Sequence, residues 1–118
     1  MIKGIGVDII DIARIEKSLA NSDRLAKRVL TIKEQKIFES YNNQRRKIEF
    51  LAGRFAAKEA FAKAHGTGIG QLSFQHIEIL ANELGAQQIT AKGYDSEKLF
   101  VSISHSELFA VAQVIITK

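Results

Sequence analysis

Cysteine does not occur anywhere in the chain. Its absence removes disulfide stapling, thiolate metal sites and a cysteine nucleophile together, so any metal must be held by oxygen or imidazole. Long apolar runs are missing too. No stretch approaches the roughly 20 residues that a membrane span needs. The opening MIKGIGVDII carries one lysine and reads straight into a strand instead of an apolar leader. The expectation is a cytoplasmic protein with no membrane association. Repeats, low-complexity tracts and linkers are also lacking, and 118 residues suit one domain, so residues 1–118 are expected to fold as a single unit. Charge is biased to one sign: the formal net charge is +4 and the pI is near 9.5. That favours a polyanionic partner, whether nucleic acid, a phosphorylated cofactor or an acidic protein surface, and does not choose among them.

Hydrophobic spacing divides the chain into recognisable pieces. Residues 2–10 alternate with period two, placing Ile5, Val7 and Ile9 on one face and Gly4, Gly6 and Asp8 on the other. Asp11 reads as an N-cap for a helix in which Ile12, Ile15 and Leu19 recur at helical spacing. A second short helix carries Arg24, Lys27 and Arg28, and Thr31 with Glu34 has the spacing of a capping box for a third that runs through Ile37 and Phe38. From about Arg46 to Ala64 the rows Leu51, Phe55, Ala62 and Phe50, Ala57, Phe61 predict one long helix, stopped by Gly66. After Phe74 the period returns to two, and HIEIL, QQITA, LFVSISH and FAVAQVIIT read as two β-hairpins. The fold class is α+β, with a mainly antiparallel sheet packed on a long central helix.

Several charged residues sit where chemistry and plain structure compete. Asp8 is a carboxylate in an otherwise apolar strand, where it must be paired, metal-bound or solvated; it also suits a turn residue that helps start the next helix. Glu59 is spaced to pair with Lys63 on an exposed helix face, worth ~0.2–0.5 kcal/mol. Yet it shares a helical row with Phe55 and Ala62, which turns it toward the sheet. Two carboxylates converging on one cleft would repel unless a divalent cation sat between them, and few hard oxygen ligands supplemented by water and phosphate is how Mg²⁺ is usually bound. The run Gly66, Thr67, Gly68, Ile69, Gly70 follows a helix instead of preceding one. It is therefore neither a P-loop nor a dinucleotide-binding turn; it is either a backbone nest for an anion, near Lys63, or an ordinary helix stop. His105, among hydroxyls at the last hairpin's tip, is a solvated turn residue or a phosphate or adenine contact. His65 and His76 read as structural. Arg14, Lys17, Arg24, Lys27 and Arg28 form a basic face or ordinary surface charge. An RNA-binding module is suggested by Arg45, Arg46 and Lys47 but lacks interleaved stacking aromatics and leaves Asp8 and Glu59 unexplained.

Three separated segments, GIGVDIIDIARIEK, FLAGRFAAKEAFAKAHGTGIG and VSISHSELFAVAQVII, resemble, in order and over the whole chain, the small single-domain holo-acyl-carrier-protein synthases of the 4′-phosphopantetheinyl transferase superfamily. The resemblance implies the 4′-phosphopantetheinyl transferase fold. It also implies Mg²⁺-dependent transfer of the 4′-phosphopantetheine arm of coenzyme A to a serine of apo-acyl carrier protein, in support of fatty acid biosynthesis. By the same resemblance Asp8 and Glu59 would be the magnesium ligands, with Lys63 contacting phosphate and donating to the leaving group. Arg54, Lys58, Lys63, Gly66, Thr67, Gly68 and His105 would line the coenzyme A pocket, and Arg14, Arg24 and Arg28 would meet the acidic helix of the carrier protein. It further implies a homotrimer with sites at subunit interfaces and no nucleic acid partner. Where such proteins often read Gly-Lys-Pro in a hairpin turn, this chain has Gly85, Ala86 and Gln87, and it contains no proline.

Overall fold

The computed structural model describes residues 1–66 and 73–118. Strand β1 (Ile2–Asp11) is followed by helices α1 (Ile12–Asn21), α2 (Arg24–Val29), α3 (Ile32–Ser40) and the long α4 (Gln44–His65). Strands β2 (Ile77–Ala81), β3 (Gln87–Ala91), β4 (Leu99–His105) and β5 (Phe109–Thr117) complete the chain. Short 3₁₀ turns at Phe74–His76 and Ser96–Lys98 lead into β2 and β4. Every strand pairing is antiparallel, as the alternating pattern predicts, but the strands form two sheets: three strands in the order β1-β5-β4, and the β2-β3 hairpin apart. Among the described residues no helix is long and apolar enough to cross a membrane.

Which face of β1 meets α4 is decided by glycine. A Cβ added at Gly4 would lie 2.2 Å from the Ala64 carbonyl oxygen, and one at Gly6 only 1.8 Å from that of Ala60. Only hydrogen at those two positions lets the helix backbone approach. The helix matches this with small residues, for Ala52, Ala56, Ala57 and Ala60 are all completely buried. The larger Ile5, Val7 and Ile9 are therefore turned outward and remain 53%, 48% and 61% exposed. Asp8, on the glycine face, is carried to the side of α4.

The helices are ordered by local signals and by the core. Thr31 and Glu34 form the predicted capping box at the start of α3, and Gly66 closes α4 in the left-handed region at φ 103°. Asp11 occupies the cap position of α1 but its side chain makes no capping hydrogen bond. The N–H of Ile12 donates instead to the carbonyl of Leu108 at 2.9 Å, so the β4-β5 turn satisfies one of the helix's orphan donors. Ile12 and Ile15 enter a core shared with Leu51, Phe61 and Val114, and burial of each such side chain stabilises by ~1.5–3 kcal/mol. Arg14 and Lys17 consequently face solvent on the outer side of α1.

Candidate active site

Asp8 and Glu59 come from elements far apart in sequence that pack together as β1 passes beside α4, near enough for the charge of one to act on the other. Asp8 is mostly shielded, with 17% of its side chain exposed, and its Oδ1 lies 3.1 Å from the Nζ of Lys63. Lys63 also donates to the carbonyl of Val7 at 3.0 Å. Glu59 is partly buried one turn earlier on the same helix. Burial first, and the charge of Asp8 second, raise its carboxyl pKa above the ordinary range, opposed by Lys63, Arg28 and Arg14. The two carboxylates therefore feel one another, and a divalent cation between them would relieve both the desolvation and the repulsion.

The donor set limits what that cation can be. Among the described residues no three His, Cys, Asp or Glu side chains converge, so a closed structural metal site is not formed by them. Two carboxylates that leave most of the coordination shell to water and a phosphorylated ligand suit Mg²⁺.

Arg14 and Arg28 flank this point through aromatic neighbours. The Arg14 guanidinium lies 6.0 Å from the Phe55 ring centre and that of Arg28 lies 5.5 Å from Phe74; the two rings pack 5.7 Å apart. Arg24, at the other end of α2, is exposed and is not among the charges that act on Glu59. Lys27, which continues that basic face, pairs with Asp23 at 3.3 Å.

A second cluster lies elsewhere on the chain. Arg54 and His105 line a pocket of about 230 Å³ together with Arg46, Glu49, Gln87 and Tyr41. Arg54 is only 7% exposed. It stacks 4.2 Å over Phe50 and donates through Nη2 to Gln87 Oε1 at 2.7 Å and to the Ile79 carbonyl at 3.2 Å. Its Nε is buried without a partner among the described residues. Burial lowers the guanidinium pKa below its usual value, opposed by Glu34 and Tyr41, which makes an incoming anion a favourable neighbour. His105 Nδ1 sits 3.5 Å from Glu49 Oε2, and Glu49 also accepts from Arg45 at 3.1 Å. Asp8, Glu59 and Lys63 do not line this pocket.

Lys58 departs from the pocket expected for it. It is completely buried and its ammonium is paired with Glu34, which is completely buried too. Its remaining donors reach the carbonyls of Val29 at 2.6 Å and Phe74 at 3.2 Å, so no N–H is free for a cofactor. Thr67 and Gly68 lie outside the described residues, while Gly66 is the helix stop itself. His65 meets the Tyr94 hydroxyl and packs on Phe61, the structural role expected for it.

Gln87 and Glu49 were not legible as site residues. Gln87 orients Arg54 across 33 positions, a pairing with no local signal, whereas the i,i+4 spacing of Arg45 and Glu49 was visible and hints only at a helix-surface pair. The hairpin turn before Gln87 needs no proline. Asn82 Oδ1 accepts from the N–H groups of Leu84 and Ala86, each at 2.9 Å, and Gly85 takes φ 86°.

Comparison with known proteins places these features in context. Residues 4–116 match the family profile of the 4′-phosphopantetheinyl transferase superfamily. The chain is 56% identical to a holo-[acyl-carrier-protein] synthase of Listeria welshimeri over 98% of both chains. It is 49% identical to one of Oceanobacillus iheyensis, covering 98% of this chain and 97% of the relative. Among solved structures, the holo-(acyl-carrier-protein) synthase of Bacillus anthracis in complex with CoA (3′,5′-ADP) superimposes with a TM-score of 0.87 at 44% identity, covering 98% of this chain and 96% of that one. The Helicobacter pylori holo-[acyl-carrier-protein] synthase in complex with coenzyme A gives 0.81 at 36% identity over 96% and 99%.

Proposed function

Since the chain belongs to the 4′-phosphopantetheinyl transferase superfamily and groups with its holo-acyl-carrier-protein synthases over nearly its whole length, we propose that it transfers 4′-phosphopantetheine from coenzyme A to a serine of apo-acyl carrier protein. The serine oxygen forms a bond to the phosphorus next to the pantetheine, the diphosphate P–O bond breaks, and adenosine 3′,5′-bisphosphate leaves. The nucleophile belongs to the partner, in keeping with the carboxylates and cations that the described residues gather around Asp8.

The observation that carries this reading is the Asp8–Lys63 pair formed where β1 packs on α4, with Glu59 one turn away on the same helix and under the charge of both. Asp8 and Glu59 would hold Mg²⁺. Bound there, the ion supplies neutralisation of the diphosphate and alignment of the reacting phosphorus. Lys63, exposed and already within reach of this point, offers a mobile ammonium to phosphate oxygens and to the developing charge on the leaving group. Arg54 and His105 receive the coenzyme A phosphates, while Gly66, Thr67 and Gly68 are assigned to the same ligand by their place after α4. Arg14 and Arg28 at the rim, and Arg24 further along α2, present positive charge to the carrier protein's acidic surface.

The separation of Arg54 and His105 from Asp8 and Glu59 within one chain supports a site completed by a second copy. The outward Ile5, Val7 and Ile9, half exposed on the open face of the three-stranded sheet, are the apolar surface such an assembly would cover. A homotrimer with interfacial sites is the form proposed, working in the cytoplasm on fatty acid synthesis, with residues 1–118 acting as one domain. The test is direct: incubation with coenzyme A, Mg²⁺ and apo-acyl carrier protein, followed by mass spectrometry of the carrier. A phosphopantetheine-sized mass gain is expected; none from folded, metal-replete protein would refute the reading.

A further inference from the structure

We infer that the buried Lys58–Glu34 pair is a positioning device for Glu59, fixing the rotation of α4 so that this carboxylate faces Asp8. The inference rests on the reading of Asp8 and Glu59 as one metal site.

Lys58 immediately precedes Glu59, and on a helix of 3.6 residues per turn adjacent side chains differ by a fixed rotation, so anchoring one sets the other. Lys58 is anchored on all sides. Its ammonium meets Glu34 Oε1, the Val29 carbonyl at the end of α2 and the Phe74 carbonyl before β2. Glu34 is anchored in turn: Oε1 also accepts from the Thr31 N–H at 2.9 Å and Oε2 from the Ile79 N–H at 2.7 Å. A single ion pair thereby joins α4 to α2, α3, the 3₁₀ turn and β2. The same ties locate Phe74 and Arg28, whose guanidinium lies over the Phe74 ring and whose charge acts on Glu59. Gln75 reinforces them, with its Nε2 within 3.3 Å of the Lys27, 3.1 Å of the Arg28 and 2.9 Å of the Leu30 carbonyls.

Stability alone is a poor reason for such a pair. Burying two charges is expensive, and apolar replacements of similar volume are often as stable or more so. Residues that orient metal ligands from behind typically alter metal affinity or activity by about 10–100-fold when changed. The charge-free double variant Glu34→Gln/Lys58→Met separates the two roles. Its fold is checked by circular dichroism, and Mn²⁺ binding is measured by electron paramagnetic resonance with coenzyme A present and carrier protein absent, so that no turnover contributes. The expected result is a folded protein whose Mn²⁺ dissociation constant rises about 10-fold or more, with a parallel fall in kcat and the KM for coenzyme A changed by less than about 3-fold.

Glu34→Asp, which keeps both charges and withdraws the carboxylate by one methylene, is expected to fold and to weaken Mn²⁺ in smaller measure. Because the chain has no cysteine, Lys58→Cys can be aminoethylated uniquely in denaturant and refolded; restoring the ammonium is expected to restore Mn²⁺ binding. A folded double variant, or a folded Glu34→Asp, that matches wild type in Mn²⁺ affinity and kcat would overturn the positioning role while leaving the function standing. A wild type that transfers nothing would remove both.

Discussion

Replacing Gly6 by alanine tests the packing on which the site depends. The new Cβ would lie 1.8 Å from the Ala60 carbonyl oxygen and 2.8 Å from both the Ala60 carbonyl carbon and the Ala64 nitrogen. These are backbone atoms in the middle of α4, so no side chain can rotate away to make room. Lengthening the closest contact from 1.8 Å to the 3.4 Å where ordinary contact begins requires β1 and α4 to separate by about 1.6 Å. Overpacking of this kind costs about 1–3 kcal/mol and more where backbone must move, which for a chain of this size lowers the thermal midpoint by roughly 5–15 °C. Ala60 follows Glu59 directly and Gly6 lies two residues before Asp8, so the displacement falls on the gap between the carboxylates. A 1 Å error in a catalytic arrangement can lower the rate by about 100-fold. Thermal unfolding followed by circular dichroism and the carrier-protein mass assay, at a temperature where the variant is fully folded, measure the two effects separately. A Gly6→Ala protein with an unchanged midpoint and a wild-type rate would refute the close approach of β1 to α4.

Asp8→Asn and Glu59→Gln are each expected to lower the transfer rate by more than about 100-fold, because the proposed ion site draws just these two carboxylates from the described residues; initial rates over a Mg²⁺ series check this. Without divalent ions the effect of Glu59 on stability has the opposite sense. Its folded pKa is raised by burial and by Asp8, so wild-type stability is full below the ordinary carboxylate range and falls as pH rises through the raised value. Glu59→Gln should match wild type in acid and exceed it at neutral pH, by less than about 1 kcal/mol since the group is partly solvated. A less stable Glu59→Gln at neutral pH in urea titrations would contradict that. Arg54→Ala should raise the KM for coenzyme A by about 10-fold or more, the worth of a charge-assisted hydrogen bond, with kcat changed less; steady-state kinetics decide. Ile5→Asp places charge on the open apolar sheet face; if that face is the proposed trimer contact, wild type should sediment as a trimer and this variant as a monomer, which sedimentation velocity checks.

The sheet and helix alternation of this chain is a local property, and the sequence alone determined it. Period-two and helical spacing, the Thr31–Glu34 capping box and the Gly66 stop each act within a few residues, and each appears in the structure as expected. The three quoted segments likewise carry the family membership that the comparisons establish. Orientation was another matter. Alternation along β1 separates Ile5, Val7 and Ile9 from Gly4, Gly6 and Asp8, but it does not say which set is covered; the helix chose the glycines because only there can two backbones touch.

Long-range pairing was hidden for the same reason. In AAKEA, two adjacent charges on one helix look equivalent, and only Glu34, 24 positions away, makes burial of Lys58 possible while Glu59 remains at the edge. Asp11 had the chemistry of a cap, yet a carbonyl from Leu108 reached the first helical N–H instead. Gln87 became the partner of Arg54 only when the fold brought the start of β3 within reach of that guanidinium. The sequence by itself settled which elements form, where they stop and which family they compose, since those depend on neighbours along the chain. Only the tertiary structure decided which charges are buried and paired and which stay at the surface, because desolvation and pairing depend on what lies across space.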